Sequence, residues 1–308
     1  MTASNTRVLP FSDESIAEAA RLILAGEPVA VPTETVYGLA ADATNAEAVA
    51  RIYAAKGRPS FNPLIVHVSD IAAAEGLAEL NADARGLAER YWPGPLTLVL
   101  PKRDDAPLPS IVTAGLPTVA IRVPGHPTMQ GLLRASGRPL AAPSANASGT
   151  ISATRAEHVL KSLGGRIPFV IDAGPTEVGL ESTIVAADGD QLRLLRPGPI
   201  DLGLSLATGE KVQAPGMLER HYAPAKPLRL DATEALSQEY LIGFGPVRGD
   251  ASLSTTGDLV EAAARLFDLL HQADASDAQA IAVAPIPAEG LGLAIRDRLR
   301  RAAHRETA

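Results

Sequence analysis

The chain has 308 residues, of which 46% are hydrophobic and 20% charged, and it contains no cysteine. This composition indicates a globular protein, excludes disulfides and cysteine-based zinc or nucleophile sites, and the length favours two domains over one. The net charge of -7 argues against a strong nonspecific affinity for RNA or DNA.

The first residues of the chain, "MTASNTRVLPFSDES", lack the basic and apolar regions of a signal peptide. No apolar run approaches the length that spans a bilayer. We therefore expect a cytoplasmic protein that makes no contact with membranes.

Short apolar stretches bounded by proline or glycine recur along the first two thirds of the chain and predict buried strands. They lie at residues 28–34, 64–68, 96–100, 118–124, 139–145, 169–174, 182–187 and 192–198. Asp188 and Gly189 separate the last two stretches, which predicts a hairpin between antiparallel strands.

Helical patterns lie between these strands. One begins at Ser12 and ends at Gly26, a second begins at Thr44 or Asn45 and runs through Ala55, and a third begins at Ser152 and ends at Gly164. The alternation predicts an α/β domain over residues 1–207 with a mixed, twisted sheet.

Residues 208–227, "TGEKVQAPGMLERHYAPAKP", interrupt this pattern with prolines, glycines and clustered charges. Such a composition predicts an interdomain linker. Strand and helix patterns then resume over residues 228–308, which we interpret as a small accessory α/β domain of Rossmann-like type.

Polar residues follow or interrupt several of the apolar strands, where α/β folds collect their ligands. Lys56 and Arg58 in "KGRPSFNP" precede "LIVHV", and their positions allow both cations to converge on phosphate or carboxylate oxygens. Arg122 interrupts "TVAIRVP", and a cation in a buried strand requires an anionic partner, either a carboxylate of the protein or a ligand. The sequence thus predicts a site for an anionic, oxygen-rich molecule such as a nucleotide.

Other catalytic signatures are missing. The sequence has no G-x-x-x-x-G-K-[ST] loop and no G-x-S-x-G elbow, and its histidines have no metal-binding spacing. A metal-dependent or triad hydrolase is therefore disfavoured, and we expect no metal site built by the protein.

Several motifs occur together in an order that resembles the threonylcarbamoyl-AMP synthase family in its longer, two-domain form. They are "PTETVYGLAADA", "KGRPSFNPLIVHV", "TVAIRVP", "APSANASG", "ESTIV" and "LRPGPI", followed by "APGMLERHYAP" and "GLGLAIRDRLRRAA". Ala153 stands where many members have proline, and residues 228–256 match only loosely.

The resemblance implies that L-threonine, bicarbonate and ATP are converted to threonylcarbamoyl-AMP and pyrophosphate. A downstream tRNA-modifying threonylcarbamoyl transferase would use this product to make threonylcarbamoyladenosine. Mg²⁺ would accompany the triphosphate. Tight direct binding of nucleic acid is not expected.

The resemblance also implies roles for individual residues. Lys56 and Arg58 would be catalytic, and with Arg196 they would hold the phosphates of ATP. The residues carried over as further ATP contacts are Asn62, Thr118, Ser144, Asn146, Ser152 and Tyr222. The threonine contacts would be Thr35, His67, Arg122, Ala142 and Ser182.

Two other functions remain open at this stage. One is an RNA-binding module of the same fold, although the negative charge and few aromatic residues offer little for stacking on bases. The other is a carbamoyltransferase that forms carbamoyl-adenylate, although such enzymes carry cysteine-rich zinc modules. For the linker we expect a lid, since His221 and Tyr222 lie between prolines that limit its motion.

Overall fold

The computed structural model describes residues 5–189, 191–207, 213–215 and 221–304. The large sheet lies in the N-terminal part and contains these strands: β1 (Arg7–Pro10), β2 (Val29–Pro32), β3 (Tyr37–Asp42), β4 (Ile65–His67), β5 (Leu96–Pro101), β6 (Thr118–Arg122), β7 (Leu140–Ala141), β8 (Phe169–Asp172), β9 (Thr183–Ala186) and β10 (Arg193–Arg196). Their order in the sheet is β1-β8-β2-β3-β7-β4-β6-β5-β9-β10.

The sheet contains both strand directions, which confirms the predicted mixed α/β fold. β4 pairs with β6 in parallel, whereas β5 pairs antiparallel with β6. β9 and β10 form the antiparallel pair expected from Asp188 and Gly189.

The helices that cover this sheet are α1 (Asp13–Leu24), α2 (Ala46–Lys56), α3 (Ile71–Glu75), α4 (Ala82–Tyr91), α5 (Ser110–Thr113), α6 (Pro127–Ser136) and α7 (Ala156–Leu163). Ser12 caps α1, and its side chain accepts a hydrogen bond from the Ser15 amide. Asn45 caps α2 in the same way, accepting from Glu47 and Ala48. The first two helix starts predicted from the sequence are confirmed.

The predicted start of the third helix at Ser152 is wrong. α7 begins at Ala156 after Arg155, while the Ser152 hydroxyl donates to the Glu181 carboxylate 2.5 Å away. Serine is a common cap, but here a buried acceptor from a distant segment takes its hydroxyl. Ser152 therefore does not begin a helix, although the sequence pattern predicted that it would.

The C-terminal part forms a second sheet from β11 (Leu228–Arg229), β12 (Glu239–Gly243), β13 (Ala251–Ser252) and β14 (Ala280–Val283), with helices α8 (Leu259–Ala275) and α9 (Leu291–Ala303). The strand order is β11-β14-β12-β13, and all described pairs are parallel. This is the expected small Rossmann-like unit. No helix of the described residues is both long and apolar enough to cross a bilayer.

The two parts pack closely against each other. Val36, Ile151 and Leu180 from the N-terminal part belong to the same buried apolar cluster as Phe267 and Leu270 of α8. This contact places α8 and α9 beside the edge of the large sheet where the polar residues gather.

Gly179 lies in a close contact between the two parts. It has φ +73°, and a Cβ at this position would lie 2.4 Å from the Ala263 carbonyl oxygen. Only glycine tolerates both this backbone conformation and this contact.

The predicted linker, residues 208–227, lies only in part within the described chain. Residues 208–212 and 216–220 fall outside it. Of the remainder, Ala214, His221 and Tyr222 are buried.

Candidate active site

A cavity, here called the central cavity, opens at one edge of the large sheet. Nine of the residues that line it are predicted site residues: Thr35, Arg58, His67, Arg122, Ala142, Ser144, Ser182, Arg196 and Tyr222. The chain thus brings together side chains that are up to 187 positions apart, from Thr35 to Tyr222. Thr33, Glu181, Pro215 and His221 are among the other residues that line it.

The strand directions explain this convergence. The parallel strands β4 and β6 end side by side at His67 and Arg122, which are register partners. β9 is parallel to β5 and β5 is antiparallel to β6, so β9 begins, just after Ser182, at the same edge. β10 is antiparallel to β9 and ends there at Arg196.

Arg122 is buried at the end of β6, where two of its nitrogens donate hydrogen bonds and the third lies in an ion pair. Its Nε donates to the Gly94 carbonyl oxygen at 3.1 Å and its Nη1 donates to the Thr35 hydroxyl at 2.9 Å. Its Nη2 lies 2.7 Å from Glu34 Oε1 as an ion pair. The anionic partner that the sequence predicted for Arg122 is therefore a carboxylate of the protein, Glu34.

The buried Arg122 charge influences the pKa values of Glu34 and His67. Burial raises the pKa of the Glu34 carboxyl, but the charge and hydrogen bonding of Arg122 outweigh that effect, so the pKa is lowered and Glu34 is ionised. Burial, reinforced by the charge of Arg122, lowers the pKa of His67 to about 3. His67 is therefore a neutral imidazole in the site.

Arg58 lies in the loop after α2 and is held by backbone carbonyl groups. Its Nε donates to the Asn62 oxygen at 3.1 Å and its Nη2 donates to the Pro63 oxygen at 2.8 Å. Burial lowers the pKa of Arg58 to about 10. The guanidinium thus stays charged at neutral pH and lines the cavity without a carboxylate partner among the described residues.

Lys56 is the last residue of α2, and its ammonium lies beneath the 142–149 loop. It donates to the Ser144 carbonyl oxygen at 2.5 Å and to the Asn146 carbonyl oxygen. Burial and the nearby charge of Arg58 lower the pKa of Lys56 well below its usual value. An anion bound beside it would favour the charged form again.

Arg196, the last residue of β10, also lines the cavity. Its Nε and Nη2 donate to the Ser182 carbonyl oxygen at 3.0 and 2.9 Å, and Nη2 also donates to the Ser182 hydroxyl at 3.0 Å. Its Nη1 donates to the Pro215 carbonyl oxygen at 3.3 Å. Burial lowers the pKa of Arg196 as well.

Lys56, Arg58 and Arg196 share one property. Each is less than a tenth exposed, and within the described part of the chain each has only neutral oxygens as hydrogen-bond acceptors and no ion-pair partner. A buried cation without a counter-ion is costly. These side chains therefore form a positive site suited to a polyanion.

Two linker residues close the cavity. Tyr222 is fully buried with φ +63°, and His221 exposes only 8% of its surface. The Tyr222 hydroxyl and His221 Nδ1 have no hydrogen-bond partner within the described residues. These polar atoms, buried at a cavity rich in cations, are free to accept or donate to a ligand.

Some predicted site residues do not line the central cavity. Lys56, Asn146 and Asn62 lie just behind the lining; both side-chain atoms of Asn62 and Oδ1 of Asn146 are buried without a partner among the described residues. Ser152 is buried and bound to Glu181. Thr118 begins β6 and is separated from Arg122 by the length of that strand.

Three charged residues of the site have no role predicted from the sequence. Glu34 pairs with Arg122, while Glu181 lines the cavity and pairs with Arg298 of α9 at 2.9 Å. The sequence does mark Arg298 as unusual, because this cation lies on the apolar face of its helix, three positions after Ile295 and one before Leu299. Glu34 and Glu181 lie within quoted motifs but look like ordinary loop carboxylates.

A metal centre built by side chains is not found in the part of the chain that the structure describes, because no three or more histidine, aspartate or glutamate residues cluster there with metal-binding geometry.

Comparison with known proteins shows two matching family models. Residues 21–198 match the Sua5/YciO/YrdC model, described as telomere recombination, and residues 191–304 match the model of the threonylcarbamoyl-AMP synthase C-terminal domain. Together these ranges cover almost the whole described chain.

Individual proteins agree with the models. The threonylcarbamoyl-AMP synthase of Bacillus subtilis is 45% identical over 97% of this chain and 95% of its own length. The threonylcarbamoyl-AMP synthase of Pyrococcus abyssi is 41% identical over 92% of each chain. The crystal structure of P. abyssi Sua5 complexed with L-threonine matches with a TM-score of 0.87 and 37% identity, covering 97% of both chains.

Proposed function

The chain belongs to the threonylcarbamoyl-AMP synthase family, and we propose that its central cavity is where L-threonine, bicarbonate and ATP react. The activity is the synthesis of threonylcarbamoyl-AMP for the modification of tRNA to threonylcarbamoyladenosine. The chemistry of the cavity suggests how its residues divide this task.

The observation that supports the proposal most strongly is the set of buried cations without counter-ions, Lys56, Arg58 and Arg196. Arg58 and Arg196 line the cavity and Lys56 lies just behind its lining, and all three have only neutral acceptors among the described residues. The triphosphate of ATP supplies the missing negative charge, and arginine binds phosphate oxygens with paired hydrogen bonds. Asn62 and Asn146, with buried unpartnered atoms beside these cations, add neutral contacts to ATP.

The other side of the cavity suits L-threonine. Arg122 has three nitrogens engaged by Gly94, Thr35 and Glu34, which leaves N–H groups for a carboxylate. The neutral His67 ring and the Ser182 hydroxyl line the cavity next to it. The L-threonine complex of the P. abyssi protein supports an amino acid site in this fold.

The reaction then requires two steps between these sides. The threonine amine forms a C–N bond with bicarbonate as water leaves, giving a carbamate. A carbamate oxygen next attacks the α-phosphorus of ATP, and the bond from this phosphorus to the pyrophosphate oxygen breaks. Because no side chain serves as a nucleophile, the protein acts by holding two anions together and by stabilising charge on the phosphates.

We propose that Mg²⁺ enters with ATP and neutralises charge on the triphosphate. The protein's part is to leave room for the metal-bound phosphates and to surround their remaining oxygens with Lys56, Arg58 and Arg196. The described residues that line the cavity include one carboxylate, Glu181, which Arg298 already engages.

Tyr222 and His221 are buried at the lining of the cavity, and we propose that they shield it from water. Both the carbamate and the acyl-adenylate are destroyed by water, so this shielding protects the product until it is released. We further propose that the product passes to a tRNA-modifying threonylcarbamoyl transferase in the cytoplasm, where ATP and tRNA are present.

Pyrophosphate release by the purified protein tests the proposal. With ATP and Mg²⁺ present, release should require both L-threonine and bicarbonate, and omission of either should reduce it to the background of ATP alone. Release that is independent of threonine would overturn the assignment.

A further inference from the structure

Among the described residues of the second domain, the most deeply buried cation lies at the boundary with the central cavity. Arg298 of α9 has 0% exposure, and its Nε donates to Glu181 Oε2 at 2.9 Å. Its Nη1 donates to Asp297 Oδ2 and to the Pro197 carbonyl oxygen, both at 2.9 Å. Every nitrogen of the guanidinium is engaged, since Nη2 also reaches the Glu181 carbonyl oxygen at 3.5 Å.

Glu181 connects Arg298 to the ATP side of the cavity. Its second carboxylate oxygen, Oε1, accepts the hydrogen bond from the Ser152 hydroxyl. The next residue along the chain, Ser182, accepts three hydrogen bonds from Arg196 through its carbonyl and hydroxyl oxygens. The position of the 181–182 backbone therefore depends on both arginines, one from each part of the molecule.

Arg298 also supports the linker. Its guanidinium carbon lies 5.4 Å from the centre of the Tyr222 ring, a cation–π contact, and Phe267 of α8 packs on the same ring at 5.6 Å. The His221 amide donates to the Arg301 carbonyl oxygen at 3.3 Å. The second domain thus holds the two linker residues that close the cavity.

Charge gives this arrangement a functional consequence. Glu181 lines the same cavity as Arg58 and Arg196, so its charge lies near the space proposed above for the triphosphate. Without Arg298, that carboxylate would be buried without a counter-ion and would repel the phosphates. Asp297 would keep a partner, because Arg301 Nε lies 3.0 Å from its other oxygen.

We propose that Arg298 is a positioning residue for ATP, supplied by the C-terminal domain, which neutralises Glu181, fixes the carboxylate that Ser152 binds and supports Tyr222 at the cavity. The inference rests on the proposed function of the cavity. It assigns the C-terminal domain a part in substrate binding rather than a role as an independent unit.

Steady-state kinetics of Arg298→Met, with pyrophosphate release as the readout, test the proposal. Methionine keeps much of the apolar stem but removes the charge and all donors. We expect the KM for ATP to rise at least tenfold and the KM for threonine to rise less than threefold. Arg300→Met, two positions along the same helix and exposed to solvent, is the matched control and should leave both KM values unchanged.

A second substitution separates positioning from simple damage to the fold. In the Arg298→Met background, Glu181→Gln removes the unpaired negative charge and keeps a side chain that Ser152 can bind. The double variant should recover at least threefold of the lost ATP affinity. A double variant as weak as Arg298→Met would overturn the electrostatic part of the proposal.

Arg298→Lys covers the case in which the methionine variant does not fold. Lysine retains the charge but cannot reach Glu181, Asp297 and Pro197 together, so the KM for ATP should rise about threefold. Unchanged ATP affinity in either folded Arg298 variant, with the wild type active, would overturn the positioning role. A wild type that shows no threonine-dependent pyrophosphate release would instead overturn the proposed function.

Discussion

Arg122 and Glu34 form a buried ion pair, with 2.7 Å between Nη2 and Oε1 and side-chain exposures of 4% and 12%. Glu34 offsets the free-energy cost of burying a cation in strand β6, because the protein supplies the balancing charge before any ligand binds. It also fixes the plane of the guanidinium, so its remaining N–H groups have a defined direction toward the cavity. Arg122 therefore keeps N–H groups for a carboxylate ligand and does not depend on that ligand for its counter-ion.

Arg122→Lys should therefore weaken threonine binding specifically. An ammonium retains the charge beside Glu34 but loses the planar, two-pronged contact, and a charge-assisted hydrogen bond is worth roughly 1.5–3 kcal/mol. The KM for threonine should rise about tenfold or more, while the KM for ATP changes little. Arg134→Lys on the exposed face of α6 is the control. Equal rises in both KM values would show either that Arg122 contacts both substrates or that it only stabilises strand β6.

Arg58→Ala tests the phosphate side. Because Arg58 contacts carbonyl groups of its own loop rather than a carboxylate, its removal leaves no buried charge unpaired and the protein should fold. Loss of a phosphate contact worth roughly 1.5–3 kcal/mol should reduce kcat/KM by at least about tenfold. Arg51→Ala on α2, which removes the partly exposed pair with Glu27 and a hydrogen bond to the Gly26 carbonyl oxygen, should leave kcat/KM unchanged. A normal rate for Arg58→Ala would make this loop structural.

Buried neutral histidines should make the protein sensitive to mild acid. Burial lowers the pKa of His67 and of His271 to about 3, and lowers that of His221 well below its usual value. In the unfolded chain each imidazole titrates near about 6.5, so between the two values the unfolded state binds more protons. Each such histidine therefore reduces the free energy of unfolding by up to about 1.4 kcal/mol per pH unit as the pH falls below about 6.5.

Urea denaturation at about pH 7 and about pH 5.5 measures this effect, since carboxylates with lowered pKa titrate below both values. The midpoint should be lower at the acidic pH, and His271→Asn should reduce the difference. Equal midpoints at the two pH values for the wild type would contradict the assignment of neutral histidines.

Tyr222→Ala should uncouple pyrophosphate release from product yield. The ring is fully buried over the cavity, and its loss opens a path for water to the carbamate and the acyl-adenylate. We expect the ratio of threonylcarbamoyl-AMP to pyrophosphate to fall by roughly threefold or more. Tyr222→Phe keeps the ring and should keep the ratio, although it loses the hydroxyl. An unchanged ratio in the alanine variant would show that the linker is only a tether.

The sequence predicted local structure well wherever a local signal sets it. Ser12 and Asn45 satisfy amide groups within their own first helical turn, and the Asp188–Gly189 turn joins adjacent strands, so these features are visible in short windows. β3 (Tyr37–Asp42), with its glycine and alanines, has weak strand propensity and was not predicted. It forms because it pairs with β2 and β7 in the middle of the sheet.

The same distinction between local and distant interactions separates the site residues that the sequence predicted from those that it did not. Lys56, Arg58, Arg122 and Arg196 stand out because cations next to apolar strands are unusual, and all lie at or just behind the cavity. The contact of Glu181 with Arg298 spans 117 positions and two domains, and no local pattern identifies such a partner. Ser152 was misread as a helix cap for the same reason, since its acceptor Glu181 is distant in sequence.

Mass spectrometry of the product formed with ¹³C-bicarbonate tests the central claim most directly. The purified protein is incubated with L-threonine, ATP, Mg²⁺ and labelled bicarbonate, and the nucleotide products are separated. The account predicts threonylcarbamoyl-AMP that carries one ¹³C atom, formed with an equal amount of pyrophosphate, and its loss in the Arg58→Ala variant. Pyrophosphate or AMP without a labelled threonylcarbamoyl-AMP, or labelled product made equally well by Arg58→Ala, would contradict it.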